Sequence, residues 1–303
     1  MTKCDYLRNI EKFTWIQKEN CKINILDYVL DNENNFWTVN KICGSKIYGY
    51  SFYKTDKNGD RFNCLTGETY IKNYDATKIL KELPKSYKYV FKPNLFYLAH
   101  KEDLSGVWKQ FANTLNEIGI EDKNIGVFGS YLIGFDIIKD VDFVVYGNKS
   151  LKLCYKNIDK IKSMLNATSI SEKHIDYQYN KHKINYNPNC DLKKIISRNW
   201  SGIQIREGVL STIRFVDLKN QETPKIDSPK NKIMGYIINS LKSACVPRQV
   251  TLCVNNEKYK VYTSLWKLQS FARNGDRFEI YGKVDFSQKI IVVEDYEDYI
   301  KFI

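Results

Sequence analysis

A chain of 303 residues is long for one ordinary domain, so two or three modules are expected. Its 43% hydrophobic and 14% aromatic content provides the apolar mass for packed cores and excludes a disordered chain; no run of about 18 uncharged apolar residues occurs, which excludes a membrane-spanning helix. The net charge of +12, spread along the whole length, fits either a polyanionic partner or well-solvated faces, and no basic amphipathic helix argues for a membrane surface.

The first residues, Met1-Thr-Lys-Cys-Asp-Tyr-Leu-Arg8, lack the apolar stretch of a secretory signal, so a cytoplasmic protein is expected. Residues 1–100 read as a β-rich N-terminal domain. Asn35–Cys43 and Lys46–Tyr53 are β-branched and aromatic runs, and the Asn58-Gly59 turn is expected to close a second hairpin. Tyr48, Tyr50, Phe52 and Tyr53 suit either one packed face of a sheet or a surface on which bases stack.

Leu104, Trp108, Phe111, Leu115 and Ile118 recur at helical spacing, and Gly119 ends that helix. A strand at Ile125–Phe128 runs into Gly129-Ser130, where a helix carrying Leu132, Ile133 and Phe135 is expected. Another strand spans Val141–Tyr146, and a helix is expected from Ser150 to Leu165. Residues 171–200 are polar and show no clear period, whereas 203–218 read as strands. The stretch from Lys219 to Lys230 carries two prolines among polar residues and reads as a linker over 219–231. Five short strands predicted within residues 232–303 suit a small β-barrel-like module, similar in plan to an oligonucleotide-binding fold.

Eight cysteines, at 4, 21, 43, 64, 154, 190, 245 and 253, form no Cys-x-x-Cys pair and read as reduced thiols. His100, His174 and His182 are too dispersed for a metal triad, and His174 and His182 are expected at the surface. Ser130 has no Ser-His-Asp company, which sets a hydrolase nucleophile aside.

One segment carries chemistry. Gly129-Ser130 is separated by nine residues from Asp140-Val-Asp142, which opens an apolar strand. Residues two apart on a strand point the same way, about 7 Å apart, so Asp140 and Asp142 converge while Val141 and Phe143 face the other side. Paired carboxylates against Val144 and Val145 are costly without a cation, and hard oxygen ligands at that spacing suit Mg²⁺, or Mn²⁺. Glycine lets a phosphate approach the backbone, and the serine hydroxyl and nearby N–H groups can donate to it.

Gly-Ser followed by Asp-x-Asp in an apolar strand resembles the signature of the polymerase-β-like nucleotidyltransferase superfamily. More narrowly, Gly129–Gly134 and Asp140–Gly147 resemble a group of archaeal predicted nucleotidyltransferases, a likeness extending to Arg198-Asn-Trp200, Ile213-Arg214, Gly275-Asp276 and Gly282-Lys283. The resemblance implies an α+β fold with a nucleotidyltransferase core, a mixed sheet with flanking helices at 101–218, between the β-rich region and the module at 232–303. It implies that Asp140 and Asp142 bind magnesium and that Gly129 and Ser130 hold the β- and γ-phosphates of a nucleoside triphosphate, with Arg214 or Arg198 offsetting their charge. Catalytic members carry a third carboxylate on a later strand; Asp217 is the best match, with Asp176, Asp191 and Glu207 as rivals. The positive charge and the barrel-like tail point to a nucleic-acid end, foremost tRNA-like RNA, as the hydroxyl acceptor, with a small molecule or a protein side chain as alternatives; the tail's lysines and rings (Tyr236, Tyr259, Tyr262, Trp266, Phe271) suit either a nucleic-acid platform or a barrel packed on the core. The alternative is a non-catalytic RNA-binding protein on an inactivated core.

Overall fold

The aromatic and β-branched runs of the N-terminal region pair into an antiparallel sheet built from β1 (Ile16–Lys18), β2 (Tyr28–Asp31), β3 (Phe36–Cys43), β4 (Lys46–Thr55), β5 (Arg61–Phe62), β6 (Thr69–Lys72), β7 (Lys81–Glu82) and β8 (Tyr87–Phe91). A computed structural model describes residues 13–18, 21–73, 80–136, 138, 140–205, 210–265 and 267–303; Cys4, Glu207 and Trp266 lie outside them. Both faces of β4 are covered, so Tyr50, Phe52 and Tyr53 are all buried. The Tyr50 hydroxyl donates to Ser264 O of the C-terminal module at 3.3 Å, whereas Tyr53 packs on Phe135 at 4.6 Å between centroids. The Asn58-Gly59 turn forms, with Gly59 N–H donating to Asp56 O at 2.9 Å, but it closes no hairpin. β6 lies between β4 and β5 in the sheet, so the chain leaving β4 crosses to the outer strand before returning beside it.

Next come α1 (Pro93–His100), α2 (Gly106–Glu117), β9 (Ile125–Phe128), β10 (Val141–Tyr146), α3 (Asn148–Lys156), α4 (Ile158–Met164), β11 (Ala167–Ser169), α5 (Glu172–His182), α6 (Leu192–Ser197), β12 (Gly202–Ile205) and β13 (Leu210–Val216). The predicted single helix over 150–165 breaks in two at Asn157, whose side-chain amide turns back to donate to Leu153 O at 2.8 Å. The polar stretch without a clear period holds two helices, α5 and α6. These elements carry a mixed five-stranded sheet in the order β11-β12-β13-β10-β9, with β10 antiparallel to β9 and parallel to β13. α2 covers one face, stacking Phe111 on Phe143 with centroids 4.7 Å apart. The N-terminal sheet and this sheet share one hydrophobic core that runs from Trp15 to Val246.

The last part is β14 (Lys230–Asn239), β15 (Arg248–Val254), β16 (Glu257–Thr263), β17 (Arg277–Asp285), β18 (Ile290–Val293) and β19 (Tyr299–Phe302). β14, β15, β16, β18 and β17 close into a small five-stranded barrel, because β17 pairs back to β14. The sequence predicts five strands; the sixth, β19, is a four-residue edge on β17. The protein is thus mixed α+β with several sheets and a closed barrel near its C-terminus. Among the described residues no helix is long and apolar enough to cross a membrane, and all seven described cysteines are free.

The stretch between sheet and barrel does not hang loose. Gln221 Oε1 accepts from Ile25 N–H at 2.7 Å and Thr223 N–H donates to Ile42 O at 2.9 Å, which pins it to the N-terminal sheet. The barrel is docked by Val246 N–H on Phe215 O at 2.9 Å and by the Gln269 amide on Ser201 Oγ at 2.7 Å and Ile213 O at 3.0 Å.

Candidate functional site

β10 lies between its two partners with Asp142 opposite both Phe128 of β9 and Thr212 of β13. Residues directly opposed across strands share a face, so these three side chains project together. Phe143 goes to the other side, onto Phe111. Asp140, two positions earlier and exposed, joins Asp142 in lining a cleft of about 310 Å³, a volume in the range that holds small-molecule ligands.

Gly129 and Ser130 border the same cleft. Gly129 has φ of +82°, and a Cβ there would stand 3.2 Å from Asp142 Oδ2. Glycine therefore relieves backbone strain and leaves space beside the carboxylate. The helix expected after Ser130 does not form. Residues 131–134 are a turn, with Phe135 N–H returning to Ser130 O at 3.0 Å and Gly134 at φ +80°. Phe135 explains it, for its ring is sunk among Phe36, Tyr53 and Tyr70 of the N-terminal sheet, and Asn63 Nδ2 donates to Ile133 O at 2.7 Å. Tertiary anchoring overrides what local apolar spacing suggests. Any phosphate at Gly129-Ser130 meets turn N–H groups, not a helix N-terminus.

The cleft is cationic. Arg61 of β5, Lys72 of β6, Lys181 of α5, Arg214 of β13 and Lys267 from the loop between β16 and β17 face two carboxylates, an excess of three positive charges when all are ionised. Three distant parts of the chain thus converge on it. Burial pushes the Asp142 carboxyl up to about 6; Arg214, Lys72 and Lys267 oppose that shift and Asp140 adds to it, all through the field rather than by hydrogen bonds. Burial brings Lys72 down to about 8, helped by Arg61, and Lys267 down to about 7, helped by Arg214, Lys72 and Lys181. The Arg214 guanidinium is buried and lies 5.0 Å from the Phe128 ring centroid.

Among the nucleotide and metal candidates, Gly129, Ser130, Asp140, Asp142 and Arg214 come together in this cleft; Asp217 and Arg198 do not. Asp217 caps the far end of β13 on the face of Ile213 and Phe215, where it accepts from Lys242 Nζ at 2.9 Å, Asn148 Nδ2 at 3.0 Å and Asn220 Nδ2 at 2.9 Å. Period-2 geometry turns it away from Thr212 and Arg214, which face the cleft. Arg198 is bound to the carboxylate of Asp276, at 2.8 Å to the nearer oxygen, and lies 5.0 Å over the Phe302 ring, tying core to barrel. Asp176 pairs with exposed Lys193, and Asp191 accepts from Phe302 N–H at 2.7 Å, so neither reaches the cleft. Of the rings proposed as a barrel platform, Tyr259 and Phe271 belong to the barrel core, whereas Tyr236 is exposed and Tyr262 half-buried; Arg248 is fully buried.

α5 supplies a wall that the sequence reading missed. His174, Tyr177, Gln178, Lys181 and His182 all line the cleft at i, i+3, i+4, i+7 and i+8. That spacing is one helix face, yet it carries polar groups where a search for apolar periodicity finds nothing. The two histidines are not plain surface residues. His182 is 5% exposed, and burial with Lys267, Lys181 and Lys72 nearby brings its imidazole down to about 3. His174 is shifted down by burial first and then by Lys267 and Lys181, with Asp140 opposing.

Among the described residues no three His, Cys, Asp or Glu side chains gather to form a metal cluster. Asp140 and Asp142 suffice for one hard cation that takes its remaining ligands from water and a bound phosphate. No family model, curated protein or solved structure matches the chain.

Proposed function

We propose that the chain is a nucleotidyltransferase of the polymerase-β-like type, which binds a nucleoside triphosphate in this cleft and moves its nucleoside monophosphate to a hydroxyl acceptor. The observation that carries the reading is that the Asp140/Asp142 pair and the Gly129-Ser130 turn border one cleft with an excess of positive charge. Asp140 and Asp142 would hold a magnesium ion, or manganese, and that ion would polarise the phosphate oxygens. Gly129 lets a phosphate approach the backbone and Ser130 donates to it, while Arg214, Lys72 and Lys267 balance its charge at close range. The acceptor oxygen then forms its bond to the α-phosphorus as the bond to the bridging oxygen breaks, pyrophosphate leaves and the hydroxyl proton passes to solvent. An RNA end suits the net charge of +12 as acceptor, although the barrel keeps Tyr259 and Phe271 for its own core.

A second reading, a nucleotide- or RNA-binding protein without transfer, is favoured by one observation. β13 presents Leu210, Thr212 and Arg214 to the cleft where the third carboxylate is expected. The two readings separate when the protein is incubated with each labelled nucleoside triphosphate, Mg²⁺ and total cellular RNA. Label transfer with pyrophosphate release supports the transferase. Mg²⁺-dependent nucleotide binding or RNA binding without release favours the binder, and binding of neither nucleotide nor RNA sinks both.

A further inference from the structure

The cleft has two kinds of wall. The β-strand side carries the carboxylates and Arg214, whereas α5 offers mainly uncharged hydrogen-bonding groups around an exposed ring. Tyr177 is 55% exposed. Its ring is steadied on the helix by Lys181, whose Nζ donates to the Tyr177 hydroxyl at 2.9 Å and sits 5.0 Å from the ring centroid. Gln178 is oriented from both ends, as its Oε1 accepts from Lys267 Nζ at 2.8 Å and its Nε2 donates to His174 Nε2 at 3.1 Å. His182 keeps a buried Nδ1 that has no hydrogen-bond partner among the described residues. An atom in that state beside a ligand-sized cleft is one that a ligand atom or an ordered water can satisfy.

A smaller space of about 80 Å³ shares His174, Gln178, Leu210, Thr212, Arg214 and Lys267 with the main cleft and is otherwise lined by Ile170, Ile196, Asn199 and Gln269. Phosphate has no use for the Tyr177 ring or the Gln178 amide. A flat, uncharged ring with donors and acceptors on its edge uses both: a π-face to stack on and fixed amide and imidazole partners.

Resting on the proposed triphosphate cleft, we infer that α5 is the nucleoside-selecting wall: the nucleobase lies on Tyr177 with its edge toward Gln178, His174 and His182, while the phosphates lie toward Arg214 and the Asp140/Asp142 pair. The neutral state of both imidazoles keeps them able to accept as well as donate, which a charged imidazolium is not. Selection between nucleotides then comes from a helix that carries neither of the two carboxylates.

The test compares binding of ATP, GTP, CTP, UTP and inorganic tripolyphosphate, each with Mg²⁺, to the full chain and its variants. The wild type is expected to prefer one nucleotide over tripolyphosphate. Tyr177→Ala should weaken nucleotide binding about tenfold, the usual cost of losing a stacked ring, and leave tripolyphosphate binding unchanged. Tyr177→Phe should keep nucleotide binding, and Gln178→Ala should narrow the gap between the best and worst base. If Tyr177→Ala and Gln178→Ala leave every nucleotide as tightly bound as in the wild type, the wall is overturned while the phosphate cleft stands. A wild type that binds every nucleotide no better than tripolyphosphate overturns it likewise. Binding of neither tripolyphosphate nor nucleotide overturns the cleft itself.

Discussion

Asp142 and Asp217 sit on adjacent parallel strands of one sheet, yet they are treated in opposite ways. Asp217 is saturated: Lys242, Asn148 and Asn220 bond its carboxylate and Lys219 N–H adds a fourth contact at 3.2 Å. Burial by itself would raise its pKa, but the Lys242 and Asn220 hydrogen bonds outweigh it and hold the carboxyl below its ordinary range. Asp142 is left in a cleft where burial wins, the cations act only from a distance, and its pKa is pushed up to about 6. A carboxylate bonded on all sides has finished its work in the fold. One surrounded by uncommitted space and positive field is arranged for something the protein does not itself contain.

The contrast is broken most sharply by Asp142→Asn. Removing a ligand from a proposed metal site should lower Mg²⁺-dependent transfer by more than about 1000-fold, since a metal contributes several kcal/mol of charge stabilisation. Thermal stability should hold or rise, because a buried carboxylate and its repulsion with Asp140 are both relieved. Unchanged activity in that variant, with unchanged Mn²⁺ binding by calorimetry, would remove Asp142 from the site.

Asp217→Ala should show the reverse pattern. Loss of the ion pair and its accompanying hydrogen bonds is expected to cost about 2–3 kcal/mol in denaturant unfolding, discounted because Lys242 is 30% exposed and can turn to water. Mg²⁺-nucleotide affinity should stay within about twofold, as for sites with no shared partner. A folded, stable variant that loses transfer would instead return Asp217 to catalytic duty.

The smallest effect is the pH dependence of the cleft lysines. Lys267 faces Arg214, Lys72, Lys181 and Asp142, with Gln178 as its bonded partner, and its pKa of about 7 lies far below the ordinary 10.5. An anion favours the charged amine, so binding takes up protons. Nucleotide affinity should be greatest between about 6, below which the Asp142 carboxylate that would hold Mg²⁺ is protonated, and about 7, and fall as pH rises through about 7 and then about 8, the value for Lys72. For the empty protein the sign is opposite. Between about 7 and 10.5 the unfolded chain binds the proton that folded Lys267 releases, so stability rises with pH across that window. Lys267→Met should accordingly stabilise the empty protein at neutral pH by on the order of 1–2 kcal/mol, a figure kept low because solvent reaches the cleft. It should also weaken nucleotide binding and flatten its pH profile near 7. A thermal shift in the other direction, or an unaltered profile, would break the link between the barrel lysine and the site.

Legibility in the sequence followed the range of the interaction. The Asp140/Asp142 pair was readable because a strand's period of two places neighbours on one side whatever surrounds them. Gly129 stood out in the sequence for the close backbone approach a glycine permits; its left-handed backbone beside Asp142 is visible only in the structure. Most barrel strands were readable from β-branched and aromatic alternation, and β19 was not, since four residues at an edge carry too little pattern. The helix predicted after Ser130 failed because Phe135 belongs to an aromatic cluster made by strands sixty to a hundred residues earlier.

What the sequence by itself determined is local: two carboxylates on one side of an apolar strand, a glycine before them, a closed run of short strands at the end. What only the tertiary structure decided is which side of each strand looks into the cleft, so that Arg214 enters it and Asp217 leaves it, and which distant segments bring Arg61, Lys72, Lys181 and Lys267 to the same space. The physical reason is that periodicity sets the relative direction of neighbouring side chains, while burial and the converging charge of remote residues depend on packing between elements that no local spacing records.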